Sequence, residues 1–310
     1  DILRAERRDG GGVPLVVHTH SSKAGILGRA AARAAGADAI VHSIHGFGFH
    51  DGQSARVRSL YVGLERLAAK WTDAFVAVSE ENIRTGEREG IFTGSRCRLI
   101  RSGFDTARFL GASRETGRRI LGVGEGDPVV GTVAVFKPQK APLDFVAAAA
   151  RVASEIPRAR FVMVGDGELR AESERAVAAA GLEGRFSFLG WREEVPELIA
   201  ACDVFLLTSR WEGLPKVVPQ ALIAGVPVVA TAVDGTKEIV DHGIDGLLVA
   251  PGDVKALARG VADILSGRVR LDAVRKRDRL VREFDQGGMV RAQERLYAEI
   301  LAGKGFPGWS

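Results

Sequence analysis

The chain reads as an α/β protein built from two Rossmann-like halves, and three observations predict this. Short apolar runs alternate with helical patterns almost from end to end, the pattern of parallel βαβ units. The runs form two series, separated by the polar stretch 113–127, which carries Gly117, Gly122, Gly124 and Gly126 and is expected to be the interdomain linker. The 310 residues, 46% hydrophobic and 26% charged, suffice for two separate cores.

In the first series, strands are predicted at 15–19, 39–43, 74–78 and 98–101, with helices over 23–35 and 55–70. In the second they are predicted at 129–135, 161–164, 186–189, 204–207, 228–231 and 247–249. Gly165 and Gly167 follow the 161–164 run as a tight strand-to-helix turn. Asp253, after Pro251-Gly252, is placed to cap the helix through Leu257 and Ile264. An amphipathic pattern over 289–301 is expected to pack back across the first half. The reading divides the chain into a partial N-terminal domain 1–117, a C-terminal domain 118–288 and a returning helix in 289–310. Four strands fall short of a full doubly wound sheet, and Asp1 begins mid-pattern without an initiator Met. The N-terminal domain is therefore expected to be incomplete.

Composition excludes several classes. A formal charge of +4 is too small and too scattered to argue for nucleic acid, but fits anionic substrates or an anionic surface. Cys97 and Cys202 lie far apart beside apolar runs and read as reduced structural thiols, which points to a cytoplasmic protein. The longest apolar run, 221–233, is interrupted by Gly225 and Pro227 and cannot span a membrane. The segment with Arg56, Arg58, Arg66 and Lys70 interleaved with Leu60, Tyr61, Leu64 and Leu67 has two readings. One is a surface helix with snorkelling arginines; the other is peripheral contact with the inner face of an anionic membrane. No Asp-x-Asp pair, Gly-x-Ser-x-Gly elbow, Walker loop, Cys/His metal spacing or Gly-x-Gly-x-x-Gly fingerprint occurs. No metal and no cofactor is expected.

The most informative stretch is 209–231, SRWEGLPKVVPQALIAGVPVVAT. Glu212 stands in a loop after the 204–207 strand, and a helix opened by Pro215 and closed by Gly225 is predicted behind it. Proline at the first helical position wastes no hydrogen bond. The amides of Lys216 and Val217 are then left for an anion at the helix start. A carboxylate beside such amides suits a ligand with hydroxyls at one end and phosphates at the other, such as a nucleotide-sugar. Taken alone, the stretch reads rather as an ordinary strand–turn–helix with a capping glutamate. Two facing halves with ligand groups at their strand ends put the site in the cleft between them.

The combination of Glu212-Gly213-Leu214-Pro215, Gly225-x-Pro227-Val228-Val229, Asp234-Gly235-x-x-Glu238 and Gly246-Leu247-Leu248-Val249-x-Pro251 resembles retaining glycosyltransferases of the GT-B fold, family four. His18-Thr19-His20-Ser21, Ile44-His45-Gly46-Phe47, Val78-Ser79-Glu80 and Ser102-Gly103-Phe104-Asp105 resemble its N-terminal landmarks in their usual order. The resemblance covers Val17 to Pro251 and is closest to bacterial enzymes of capsular, exopolysaccharide or O-antigen assembly. It implies metal-independent transfer of a sugar, with retention, from a nucleotide-diphosphate donor such as a UDP-sugar to a glycan or lipid-linked acceptor.

Residue by residue, the resemblance implies that Glu212 holds donor-sugar hydroxyls while the backbone of Gly213, Leu214, Pro215 and Lys216 faces the diphosphate. Eight residues on, the family's ribose-gripping glutamate is replaced by Gln220, whose uncharged amide makes a weaker contact. Lys140 matches the phosphate-binding lysine, but the arginine five residues earlier is Val135. Lys137 is the candidate substitute, without arginine's bidentate fork. His45 is implied to contact the donor sugar near the reacting centre, where a neutral imidazole can donate to a hydroxyl. His18, His20, His42 and His50 compete for that assignment, with His20 second. Trp191, Arg192 and Gly165 are assigned to the base pocket, or are ordinary turn residues. Two alternatives stay open: a non-catalytic nucleotide-sugar-binding subunit, to which Val135 and Gln220 give weight, and a UDP-sugar 2-epimerase-like GT-B enzyme.

Overall fold

The computed structural model describes residues 2–9, 12–50 and 52–306. Positions 1, 10, 11 and 51 of the predicted 1–117 segment and 307–310 of the 289–310 segment lie outside the described residues.

The chain forms two compact units, 1–103 with 286–310, and 104–285. The first carries a four-stranded parallel sheet in the order β1 (Val16–His20), β2 (Ala39–Ile44), β3 (Ala74–Ala77) and β4 (Cys97–Leu99). The second carries a six-stranded parallel sheet of β5 (Val129–Val133), β6 (Arg160–Val164), β7 (Phe186–Phe188), β8 (Val204–Leu207), β9 (Val228–Thr231) and β10 (Gly246–Val249). Its order is β10-β9-β8-β5-β6-β7. The central strands β2, β3, β8 and β9 are buried along their whole length. Helices pack on the sheets, and β3, β8 and β9 accordingly read as nearly continuous apolar runs, whereas β2 carries His42 and Ser43 among its apolar residues.

The main core of the second unit gathers Phe136, Phe145, Phe161, Met163, Leu206, Val229 and Leu257 between sheet and helices. In the first unit, the helix Gln286–Gly303 lays Leu296 against Val41, Ala74, Val76 and Ile100, with Met289, Tyr297 and Ile300 flanking. Lys304 anchors its end on Asp73 at 2.7 Å and on the Asp38 carbonyl at 2.6 Å. Among the described residues no helix is long and apolar enough to cross a membrane.

The segment 113–127, expected as a linker, is a packed part of the second unit, and the boundary falls at 103/104 instead of 117/118. Ser113 caps the helix Arg114–Leu121 by accepting from Thr116 N at 3.1 Å, and Gly122 ends it in the left-handed region at φ 64°. Gly117 is there for proximity: a Cβ would lie 1.9 Å from the Glu197 carbonyl oxygen of the facing helix Val195–Ala200. Two of the four glycines of the expected linker are thus a close helix contact, Gly117, and a helix stop, Gly122. The second boundary also moves, from 288/289 to 285/286.

Candidate functional site

The order of the second sheet fixes where a ligand can enter. From β5 the chain steps outward through β6 and β7 on one side; from β8 it steps through β9 and β10 on the other. The chain leaves β5 and β8 toward opposite edges of the sheet, so the adjacent carboxyl ends of these two strands form its switch point, the place where such sheets receive ligands. Lys140 and Glu212 both stand there.

After β5 the backbone turns through Pro138–Lys140 and passes Ala141 in the left-handed region at φ 46°. After β8 it runs from Thr208 to Lys216. The two loops are laced together. Thr208 Oγ1 donates to the carbonyls of Lys140 (2.9 Å) and Ala141 (3.0 Å). Arg210 N donates to the Gln139 carbonyl at 2.7 Å, and Gln139 Nε2 to the Trp211 carbonyl at 2.9 Å. This lacing seats the Lys140 ammonium on Glu212 Oε1, which also accepts from Ser209 Oγ at 2.6 Å. The Glu212 backbone N–H donates to Asp234 Oδ2 at 2.7 Å, and Thr231 Oγ1 donates to the Ser209 carbonyl at 2.6 Å. The Glu212 side chain is 6% exposed and that of Lys140 18%. A carboxylate so far out of water needs such a partner, because a lone buried charge costs several kcal/mol.

The segment after Glu212 is pressed on Gly235, where a Cβ would lie 2.5 Å from the Gly213 carbonyl oxygen and 2.7 Å from Leu214 Cδ1. Leu214 and Pro215 are buried and Lys216 is exposed. The helix begins at Val217, two residues later than the expected Pro215 start. Pro215 lies in the entering turn, its carbonyl accepting from Val218 N at 3.1 Å. Among the described residues, the amides of Lys216 and Val217 donate to no protein atom. Gln220 is half-buried on that helix. Lys137 flanks the β5 loop, half-buried and without an ion pair among the described residues, while Val135 is 40% exposed.

Gly165 N donates to the Gly190 carbonyl at 2.7 Å, which carries the Trp191-Arg192 loop beside the turn after β6. Gly165 itself (φ 119°) lies against the Ala134 backbone, where a Cβ would sit 2.0 Å from the carbonyl oxygen. Trp191 is 71% exposed, and Arg192 is held by Glu194 through contacts at 2.8 and 3.1 Å.

The first unit has its own cluster, sorted by strand alternation. β1 and β2 pair with His18 opposite Val41 and His20 opposite Ser43. His18, His20, Ser43 and His45 therefore share one face, and Thr19 and His42 the other. His42 is a core histidine: it is buried, hydrogen-bonds Thr19 Oγ1 at 2.9 Å and packs on Gly25. Burial, reinforced by Arg29, lowers its pKa to about 3. On the first face, His18 Nε2 meets Ser43 Oγ at 2.8 Å and its Nδ1 meets the Tyr297 hydroxyl. Burial, with His20 and His45 adding to it, lowers the His18 pKa to about 4. His20 lies between, with ring centroids 4.4 Å from His18 and 5.3 Å from His45. Burial lowers its pKa too. His50 serves its own turn, accepting from Gly52 N at 3.2 Å. Among the described residues no set of three or more His, Cys, Asp or Glu side chains is arranged to hold a metal ion.

Comparison with known proteins agrees with this frame. Residues 113–283 match the model of glycosyl transferases group 1, and residues 3–108 that of glycosyltransferase family 4. The chain belongs to glycosyltransferase family four. It is 32% identical, over 98% of its length and 78% of the relative's, to the UDP-Gal:alpha-D-GlcNAc-diphosphoundecaprenol alpha-1,3-galactosyltransferase of Escherichia coli. Among solved structures, HepE of Anabaena in complex with UDP and glucose superposes with a TM-score of 0.81 at 24% identity, covering 96% of this chain and 81% of that one. Sucrose-phosphate synthase of Thermosynechococcus elongatus gives a TM-score of 0.81 at 24% identity, covering 97% and 78%. The fold of this family-four glycosyltransferase is GT-B.

Ser209, Asp234 and Thr208 were not singled out from sequence as residues that hold Glu212 and Lys140. Their signal is faint, a serine three residues before the glutamate and an aspartate past the next strand. Nothing in the sequence joins His18 to Tyr297.

Proposed function

We propose that this glycosyltransferase moves a sugar from a UDP-linked donor to a hydroxyl of a glycan or lipid-linked acceptor, with retention and without a metal ion. One observation carries the reading: at the switch point of the second sheet a buried carboxylate is paired with an ammonium, and the amides four and five residues after that carboxylate donate to no protein atom among the described residues. Lys140 and Glu212 satisfy each other. The bound donor separates their roles, with Lys140 on the diphosphate and the Glu212 carboxylate on the sugar hydroxyls. The amides of Lys216 and Val217 face the diphosphate, and Lys137 adds charge from the flank.

In the reaction, the bond from the anomeric carbon to the diphosphate oxygen breaks and its electron pair leaves with UDP. The acceptor oxygen bonds to the same carbon, and its proton passes to the departing phosphate oxygen. Charge develops on the leaving group, so the positive groups around it stabilise the transition state more than the ground state. His45 donates to a donor-sugar hydroxyl, and Gly165, Trp191 and Arg192 border the base, with Gln220 on the ribose. The UDP-Gal donor and diphosphoundecaprenol-linked acceptor in the name of the E. coli relative support this choice of substrate classes.

The test is release of UDP from a panel of UDP-sugars with undecaprenyl-diphosphate-linked acceptors, with and without EDTA, and NMR of the product's anomeric proton. Acceptor-dependent release that survives EDTA and gives the donor's configuration is expected. Loss on chelation overturns the metal-free part, and an inverted product overturns retention. UDP binding without release shows a non-catalytic subunit, and turnover of UDP-GlcNAc without acceptor shows an epimerase.

A further inference from the structure

His45 is held at both ring nitrogens. His20 Nδ1 lies 3.0 Å from His45 Nε2, and Ser102 Oγ lies 3.4 Å from His45 Nδ1. Two nitrogens 3.0 Å apart accommodate one proton, so one imidazole donates at this edge and the other accepts. That edge therefore couples the tautomers of the two rings. Ser102, at the outer limit of hydrogen-bond distance, is the looser partner. It is also a hydroxyl, the group a sugar presents.

The His20 ring is itself braced. It stacks on His18 with an interplanar angle of 28°, and His18 is fixed at both nitrogens by Ser43 and Tyr297. His20 stacks on His45 at 27°. The three rings thus form a stepped stack whose far end is anchored in the strand pair and the helix Gln286–Gly303. Burial keeps His18 and His20 uncharged near neutrality, so their hydrogen bonds are those of neutral rings.

We propose that His20 is a positioning residue for His45. Its Nδ1–H donates to His45 Nε2, which fixes His45 as the Nδ1–H tautomer and leaves that nitrogen to donate to a ligand hydroxyl in place of Ser102. The inference rests on the reading of His45 as a donor-sugar contact. A contact that donates to the sugar needs its proton on Nδ1, and His20 is the group that can hold the other nitrogen as an acceptor.

The experiment uses the full chain labelled with ¹⁵N-histidine, read ligand-free near pH 7.5 by imidazole nitrogen shifts, alongside transfer kinetics. The wild type is expected to show Nδ1–H tautomers for both His20 and His45, against the Nε2–H form favoured by free neutral histidine. His20→Ala is expected to return His45 to the free-histidine mixture and to lower kcat about tenfold, with the donor KM within about twofold. His20→Asn, whose amide N–H falls near Nδ1, is expected to restore both readouts. An Nε2–H tautomer at His45 in the wild type, or a His45 signal and kcat unchanged in His20→Ala, overturns the inference. Paired Nδ1–H tautomers in a protein that transfers no sugar overturn the transferase reading and leave the imidazole coupling standing.

Discussion

The corner around Glu212 and the cluster around His45 bind polar groups by opposite means. The first is charged, mostly buried and assembled from two neighbouring loops of one sheet. The second is built from imidazole rings, partly open and assembled from elements as distant as His18 and Tyr297 (279 residues apart). An ammonium and a carboxylate hold each other wherever the loops bring them within reach, and the arrangement tolerates looseness. Neutral imidazoles hold each other only when each ring has the correct tautomer and tilt. Disturbing the first region should therefore cost large electrostatic energies, and disturbing the second should change orientation and protonation.

The largest effect is expected at Lys140. Lys140→Met removes the charge that would meet the leaving diphosphate, and kcat should fall roughly 10²–10³-fold, the size seen when one transition-state donor is lost. It also strands the Glu212 carboxylate, with a stability loss of about 3–5 kcal/mol in chemical denaturation. Adding Glu212→Gln should recover most of that stability and none of the activity. If the double variant regains transfer, Lys140 acts only as a structural partner and the assignment of the corner fails.

Next come the supports of Glu212. Ser209→Ala removes a hydrogen bond to a charged oxygen, worth about 1.5–3 kcal/mol. The donor KM should rise and kcat should change less, because the carboxylate loses its fixed direction while the diphosphate contacts remain. An unchanged KM for the UDP-sugar, measured beside an unchanged Kd for UDP, would show that Ser209 does not orient Glu212.

Acid separates the two regions by a different route. The folded-state pKa values of His18 and His42 are depressed, to about 4 and about 3, from an ordinary value of 6.5. The unfolded chain therefore takes up protons below about pH 6.5 that the folded chain refuses until pH 4 or lower. The stability these residues contribute is complete above pH 6.5 and is lost as pH falls through the interval, at up to about 1.4 kcal/mol per pH unit for each group. A His18→Gln, His42→Gln double variant should show a flatter decline of unfolding free energy between pH 6.5 and 4.5 than the wild type. An equal slope would mean that both rings take up protons in the folded state as readily as in the unfolded one.

The same contrast explains what the sequence made legible. The strands announced themselves because parallel strands packed under helices read as nearly continuous apolar runs. Glu212, Gly213–Lys216 and Lys140 were legible because loops after adjacent strands converge by topology alone. The linker reading failed at Gly117 because sequence does not distinguish a glycine kept for backbone freedom from one kept for a 1.9 Å clearance against a neighbouring helix. The histidines were legible as a group but not as a structure. Alternation along β1 and β2 separates His42 from His18, His20 and His45, yet the brace on His18 comes from a helix that only the fold brings near.

The smallest effect is expected at Gln220, half-buried on the helix behind Glu212. If its side chain meets the ribose, Gln220→Glu replaces a neutral acceptor with an ionised one, and charge-assisted hydrogen bonds are roughly twice as strong as neutral ones. The donor KM should then fall by roughly threefold to tenfold with kcat nearly constant, since a contact equally present in ground and transition states changes binding alone. The paired control is UDP against a ribose-lacking diphosphate. The gain must appear for the first and vanish for the second. A gain common to both would place the new charge near another group of the ligand, and no gain at all would leave Gln220 facing solvent with the ribose held elsewhere.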